Sequence, residues 1–241
     1  MIRRLGGAIQ FLTVLPAGAG DVGLSESAIF FPLVGAGLGA AASGIYLALS
    51  RGLPTPLSSL AVLLFLVLAT GGLHEDGLAD VADAFRAGRP PAQIHAILKD
   101  SRIGAFGAMA LIFSILFRWQ ALAALGPHST TALVVSETLP RAAFVVLAHI
   151  AKPVGTGLGS AFGAGLSRTT GLLAVAQGVA IAWLAGPVLA LIVVAGTSAI
   201  ILMARSYFHR RIGGVTGDCL GATGQVVECF CLLTFVWQRS I

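Results

Sequence analysis

Residues 71 to 85 read GGLHEDGLADVADAF and place Glu75, Asp76, Asp80 and Asp83 within nine positions of a 241-residue chain that has only ten acidic residues. On a helix, Asp76, Asp80 and Asp83 stand at i, i+4 and i+7 and share one face, with Leu78, Val81 and Phe85 on the other. Stacked carboxylates repel one another, and no cation is interleaved before Arg86. A hard divalent cation would relieve that repulsion. Mg2+ or Mn2+ takes carboxylate oxygens, keeps several waters and bridges to phosphates. The expected ligands are Asp76, Asp80 and Asp83, with Glu75, about 100° off their face, in support. Zinc fits less well, because His74 is the only imidazole nearby and Cys219, Cys229 and Cys231 lie elsewhere. The competing reading is an acidic helix that sits in water or pairs with basic loops.

Two further stretches carry chemistry of the same kind. In LKDSRIGAFG, residues 98 to 107, Lys99 and Arg102 can hold phosphate oxygens and Asp100 can join a metal. The plainer alternative is that Asp100 or Ser101 caps the next helix. In RRIGGVTGDCLGATGQVVE, residues 210 to 228, five glycines bracket Asp218. Glycines such as Gly217 let backbone N–H groups approach a phosphate, Thr216 can donate a hydrogen bond, and Arg210 and Arg211 add charge. It is not a Walker A loop, since no G-K-[S/T] follows. A tight interhelical turn would look similar. Glu137 and Arg141, four residues apart inside an apolar run, are expected to pair on one helix face. An ionised residue in such a place is also a substrate-contact candidate, and Arg141 is held as one.

The elements that must position these residues are membrane helices. The chain is 56% hydrophobic and 10% charged, with a mean hydropathy of +0.92, where soluble domains run near a quarter charged. The fold class is therefore all-α, a polytopic integral membrane bundle. The dyad alternation of a β-barrel is missing. Expected spans are 29–49, 57–73, 105–125, 131–150, 171–185, 187–204 and 220–237, about seven. The fifth and sixth meet at Gly186-Pro187, a turn signal; one long kinked helix is the alternative. Residues 1–28 are read as an interfacial amphipathic segment rather than a signal peptide. The whole of 1–241 reads as one membrane domain. Small-xxx-small spacings, Gly35/Gly39 and Gly217/Gly221, point to close helix packing.

With the N-terminus cytoplasmic, eleven Lys and Arg fall on the inner side (Arg3, Arg4, Arg86, Arg89, Lys99, Arg102, Lys152, Arg168, Arg205, Arg210 and Arg211) against Arg51 and Arg239 outside. That orientation brings 74–104, 151–170 and 205–219 to one side. The net charge of +5 points to lipid headgroups rather than nucleic acid.

TGGLHEDGLADVADAF, KDSRIGAFG and GGVTGDCLGA together resemble the signature stretches of the cobalamin synthase (adenosylcobinamide-GDP ribazoletransferase) family, and AIQFLTVLP, FFPLVGAGLG and LPRAAF add to the likeness. The resemblance covers nearly the full length; only 171–204 matches nothing beyond being apolar. It implies a Mg2+-dependent transferase of a bacterial or archaeal inner membrane, with its active site on the cytoplasmic side. Such an enzyme joins adenosylcobinamide-GDP to α-ribazole or its 5′-phosphate and releases GMP. Under that reading Asp76, Asp80 and Asp83 clamp the pyrophosphate through metal. Asp100 or Asp218 reaches a second ion, and Lys99, Arg102 and Arg210 hold oxygens. Asp80 or Asp83 accepts the hydroxyl proton, and Arg141 stands where the family's membrane arginine is expected. The resemblance leaves room for association with other corrinoid-pathway enzymes and for a homo-oligomer. Two rivals are a CDP-alcohol phosphotransferase, whose motif has Arg where Asp80 follows Ala79 here, and a cation transporter. A transporter should bury its acids near the midplane, whereas nine of the ten acids are read at or outside span ends, with only Glu137 well inside.

Overall fold

The computed structural model describes residues 1–18, 20, 22–155 and 158–239. Its helices are α1 (Ile2–Leu12), α2 (Leu24–Ser27), α3 (Phe31–Leu49), α4 (Thr55–Thr70), α5 (Leu73–Ala84), α6 (Pro91–Ile97), α7 (Ala105–Leu125), α8 (Ser129–Ile150), α9 (Leu158–Ala164), α10 (Arg168–Ala182), α11 (Pro187–Ile212) and α12 (Gly217–Arg239). The described residues form no strand, only one isolated bridge between Pro153 and Val215.

Five stretches are long and apolar enough to cross a membrane: 24–49, 105–150, 168–185, 187–212 and 217–239. The second runs 46 residues. At about 1.5 Å per residue that is more than twice the ~30 Å hydrocarbon thickness, so it cannot be one crossing. It turns at Gly126-Pro127 into α7 and α8. α8 then runs antiparallel to α3: Gly35 lies on the Glu137–Thr138 backbone, Gly39 on Leu133–Val134, and Ser43 Oγ donates to Thr130 O at 3.1 Å. Likewise α10 and α11 are two antiparallel spans. Gly171 meets His149 and Gly178 meets Ala142, while Arg205 Nε of α11 donates to Ile150 O at 2.9 Å. The turn signal at Gly186-Pro187 is thus real, and the single kinked helix is set aside. With α4, the chain makes about seven crossings. Its exposed surface carries many large apolar side chains, among them Leu64, Leu68, Phe113, Leu172, Leu191 and Met203, as lipid contact requires.

The central helices are α8 and α12. α8 is buried along most of its length and is wrapped by α3, α10, α11 and α12. α12 also carries α5 and α7, which join α4 on its far side. The glycines of α3 make its approach to α8 feasible, because a methyl on Gly35 or Gly39 would overlap the α8 backbone.

α5 departs from span geometry. The expected span 57–73 ends three residues early, at Thr70, where Gly71 and Gly72 both adopt the left-handed region, φ 64° and 68°. Only glycine does this readily at two positions in succession. α5 then leaves at 87° to α4. It is 12 residues long, about 18 Å, too short to cross, and is not one of the spans.

Candidate active site

α5 is held against the start of α12 by glycine. A Cβ on Gly77 would stand 3.0 Å from Asp218 O and 3.3 Å from Gly221 Cα, so the two backbones nearly touch. That contact sets the acidic face of α5 beside Asp218. The loop before α12 is fixed by Val154 N–H donating to Val215 O and Val215 N–H to Lys152 O, both at 2.9 Å. Thr216 caps α12, its Oγ1 accepting from Cys219 N–H at 3.4 Å and donating to Asp218 Oδ2 at 3.2 Å. The three polar stretches that charge asymmetry put on one side therefore do come together.

Two cavities adjoin here. One, of about 420 Å3, is lined by Asp76, Lys99, Thr216, Gly217 and Asp218, by His74 and His95, and by a wall of phenylalanines. The other, of about 600 Å3 and more open, is lined by Asp76, Asp80, Glu75, Ser101 and Ile103. Asp76, Leu73 and Phe11 belong to both. Asp80 is half-buried; burial first, then the charges of Asp76, Asp218 and Asp83, push its pKa up to about 6.

Other expected site residues have different partners. Asp83 Oδ2 accepts from Gly104 N–H at 2.7 Å, at the N-terminus of α7, and Gly104 and Gly107 leave room for its carboxylate. Asp100 and Arg102 hold each other in a two-pronged pair, Nη2 to Oδ2 at 2.6 Å and Nε to Oδ1 at 2.9 Å. The hydrogen bonds from Arg102 hold the Asp100 carboxyl down to about 2. Neither side chain lines either cavity. Arg210 is exposed at the end of α11 and lines neither; it is Arg211 that reaches the turn just after α5, donating to Arg86 O at 2.7 Å. Arg141 pairs with Glu137 at 2.6 Å, as expected, is buried and lines neither cavity.

Glu75 is also committed. Arg118, buried, donates Nη2 to Glu75 Oε1 at 2.9 Å and Nη1 to Glu228 Oε1 at 3.1 Å. Gln225 Nε2 bonds Glu228 Oε2 at 3.1 Å, and Ser114 Oγ donates to Gln225 Oε1 at 3.0 Å. This network overturns the reading that Glu137 alone among the acids lies well inside: Glu228 does too, eleven residues into α12. An ionisable residue inside an apolar run was the available signal.

Among the described residues no three His, Cys, Asp or Glu side chains form a ready metal cage. The donor set nonetheless suits a hydrated Mg2+ or Mn2+. The charges of Asp76 and Asp218 both add to the upward push that burial gives Asp80, none of the three is in an ion pair among the described residues, and such ions use one or two carboxylates plus phosphate.

A multi-pass helical bundle with uncompensated carboxylates and cationic loops around paired cavities at one end belongs to the class of integral membrane enzymes. The chain is a member of the cobalamin-5-phosphate synthase family, whose model matches residues 4–236. It is 38% identical to an adenosylcobinamide-GDP ribazoletransferase of Ralstonia pickettii, over 97% of this chain and 95% of that protein. A protein of the same name from Geotalea daltonii is 34% identical over 98% of both chains, and one from Bradyrhizobium diazoefficiens is 39% identical over 94% and 90%. No solved structure matches the chain. The rival phosphotransferase and transporter readings find no support in these relatives.

Proposed function

We propose that this protein transfers the cobinamide phosphate of adenosylcobinamide-GDP to α-ribazole, or to its 5′-phosphate, and releases GMP. The observation that carries this is the meeting of two cavities at Asp76, in a chain that shares nearly its full length with ribazoletransferases. A two-substrate displacement needs two neighbouring pockets with charge control at their seam. A ribose hydroxyl oxygen forms a bond to the phosphorus next to cobinamide. The P–O bond to GMP breaks, and GMP leaves with the electron pair. Asp80, whose pKa is pushed up to about 6, accepts the hydroxyl proton in this reading. Lys99 and the backbone N–H groups at the start of α12 hold non-bridging oxygens. Asp76, Asp80 and Asp218 would hold Mg2+, which when bound neutralises the pyrophosphate. Asp83 positions α7 rather than binding the ion, and Asp100, Arg102 and Arg210 act at most on substrate arriving from outside the cavities. The active site faces the cytoplasm in this reading, at a bacterial or archaeal inner membrane.

The test uses detergent-purified protein with adenosylcobinamide-GDP and α-ribazole. GMP and cobalamin should appear together, stop with EDTA and return with Mg2+. Asp76→Asn should lower turnover by about 100-fold or more, as loss of a charge-stabilising group does. Undiminished turnover in EDTA would sink the metal assignment.

A further inference from the structure

The smaller cavity carries more detail than the reaction above uses. One wall is a row of rings from three separate elements. Phe11 of α1 stacks on Phe31 of α3 at 5.5 Å between centroids and 10° between planes, and Phe31 stacks on Phe162 of α9 at 5.6 Å and 16°. Ser25 Oγ donates to Phe162 O at 2.9 Å and holds α9 to α2. Across the same cavity His74 lies against Phe144, with ring centroids 4.8 Å apart. The His74 side chain is buried, and its Nε2 has no hydrogen-bond partner. A buried polar nitrogen left alone costs free energy unless something arriving in the cavity satisfies it. Asp76 and Asp218 both lie on the cavity's lining, and Asp76 also lines the second cleft.

Size and polarity decide what fits. At about 420 Å3 the cavity is at the small end of the 300–1,000 Å3 typical of small-molecule pockets. A nucleoside can enter it; a corrinoid carrying a nucleotide cannot. Guanine would present several donors and acceptors along its edges to a phenylalanine wall. A dimethylbenzimidazole presents methyl groups, a flat π-face and a single acceptor nitrogen.

We propose that this cavity is the acceptor subsite, with the benzimidazole of α-ribazole packed against the Phe11 and Phe162 rings of that wall and its free ring nitrogen taking a hydrogen bond from His74 Nε2. The ribose then points to the seam at Asp76, where the open cleft delivers the pyrophosphate. The assignment rests on the transferase reading above and adds which pocket takes which substrate.

The test is initial-rate kinetics on purified full-length protein, with both substrates varied, and calorimetric binding of α-ribazole alone. Phe162→Ala should raise KM for α-ribazole roughly 10- to 100-fold, the range for losing an aromatic platform under a base. KM for adenosylcobinamide-GDP should stay within about twofold, as for any residue outside the other substrate's pocket. Phe162→Leu keeps apolar volume without the flat face and guards against misfolding; it should show the same split more mildly. His74→Phe keeps a ring and removes the donor, and should weaken α-ribazole binding about tenfold. Wild-type protein that turns over, with Phe162→Ala acting on the KM for adenosylcobinamide-GDP or on neither KM, overturns this subsite. Wild-type protein that releases no GMP overturns the transferase reading instead.

Discussion

Asp80 shows how much a single side chain's environment matters here. Its folded pKa of about 6 lies above the ordinary value near 3.9, so the folded state prefers the protonated form. The ionised carboxylate therefore costs stability. The cost is absent below about pH 4, grows between about pH 4 and 6, and is constant above. Without divalent metal, Asp80→Asn should melt higher than wild type at pH 7.5 and at the same temperature at pH 4. Millimolar Mg2+ should close the gap at pH 7.5. Equal melting temperatures at pH 7.5 in EDTA would show that burial and the neighbouring carboxylates do not raise the pKa of Asp80. The shared face of Asp76, Asp80 and Asp83 was legible from 3.6-residue periodicity alone. The fates of Asp83, Glu75 and Asp100 were not. Each found a partner, Gly104, Arg118 or Arg102, and only for Asp100 was that partner close in sequence. Periodicity tells which face a side chain occupies, not which distant group waits there.

At the scale of helices, glycine spacing was a sound guide. Gly39→Ala would place a methyl 2.6 Å from Val134 Cα, whereas at Gly37 nothing lies within 4 Å. Gly39→Ala should cost about 1–3 kcal/mol by overpacking and Gly37→Ala nothing, measured by thermal unfolding in one detergent. The same measurement tests the ion network that joins three helices. Arg118→Ala leaves Glu75 and Glu228 buried without their counter-charge and should destabilise by about 3–5 kcal/mol. Arg118→Lys should recover part of that loss, since an ammonium keeps the charge but not the fork. Span positions were readable from hydropathy because lipid demands long apolar runs. The bend at Gly71-Gly72 was not read: an apolar run carries on through it, and only the two adjacent left-handed residues mark the break.

For the molecule as a whole, charge asymmetry predicted that three polar stretches would meet, and the bridge between Pro153 and Val215 and the α5–α12 contact make them do so. Sidedness itself is open to direct measurement. In whole cells, Arg51→Cys should react with a membrane-impermeant maleimide, and Arg86→Cys only after permeabilisation; the reverse pattern would turn the protein over. The joint after α4 carries a further consequence. α4 has 16 residues, about 24 Å, against hydrocarbon of ~30 Å, and the acid helix begins where it stops. A bilayer that thickens must pull on that short crossing, and the pull arrives at Asp76 through two glycines. Turnover in proteoliposomes should therefore fall as acyl chains lengthen from 14 to about 22 carbons, so that lipid composition becomes a rate-setting variable for the enzyme.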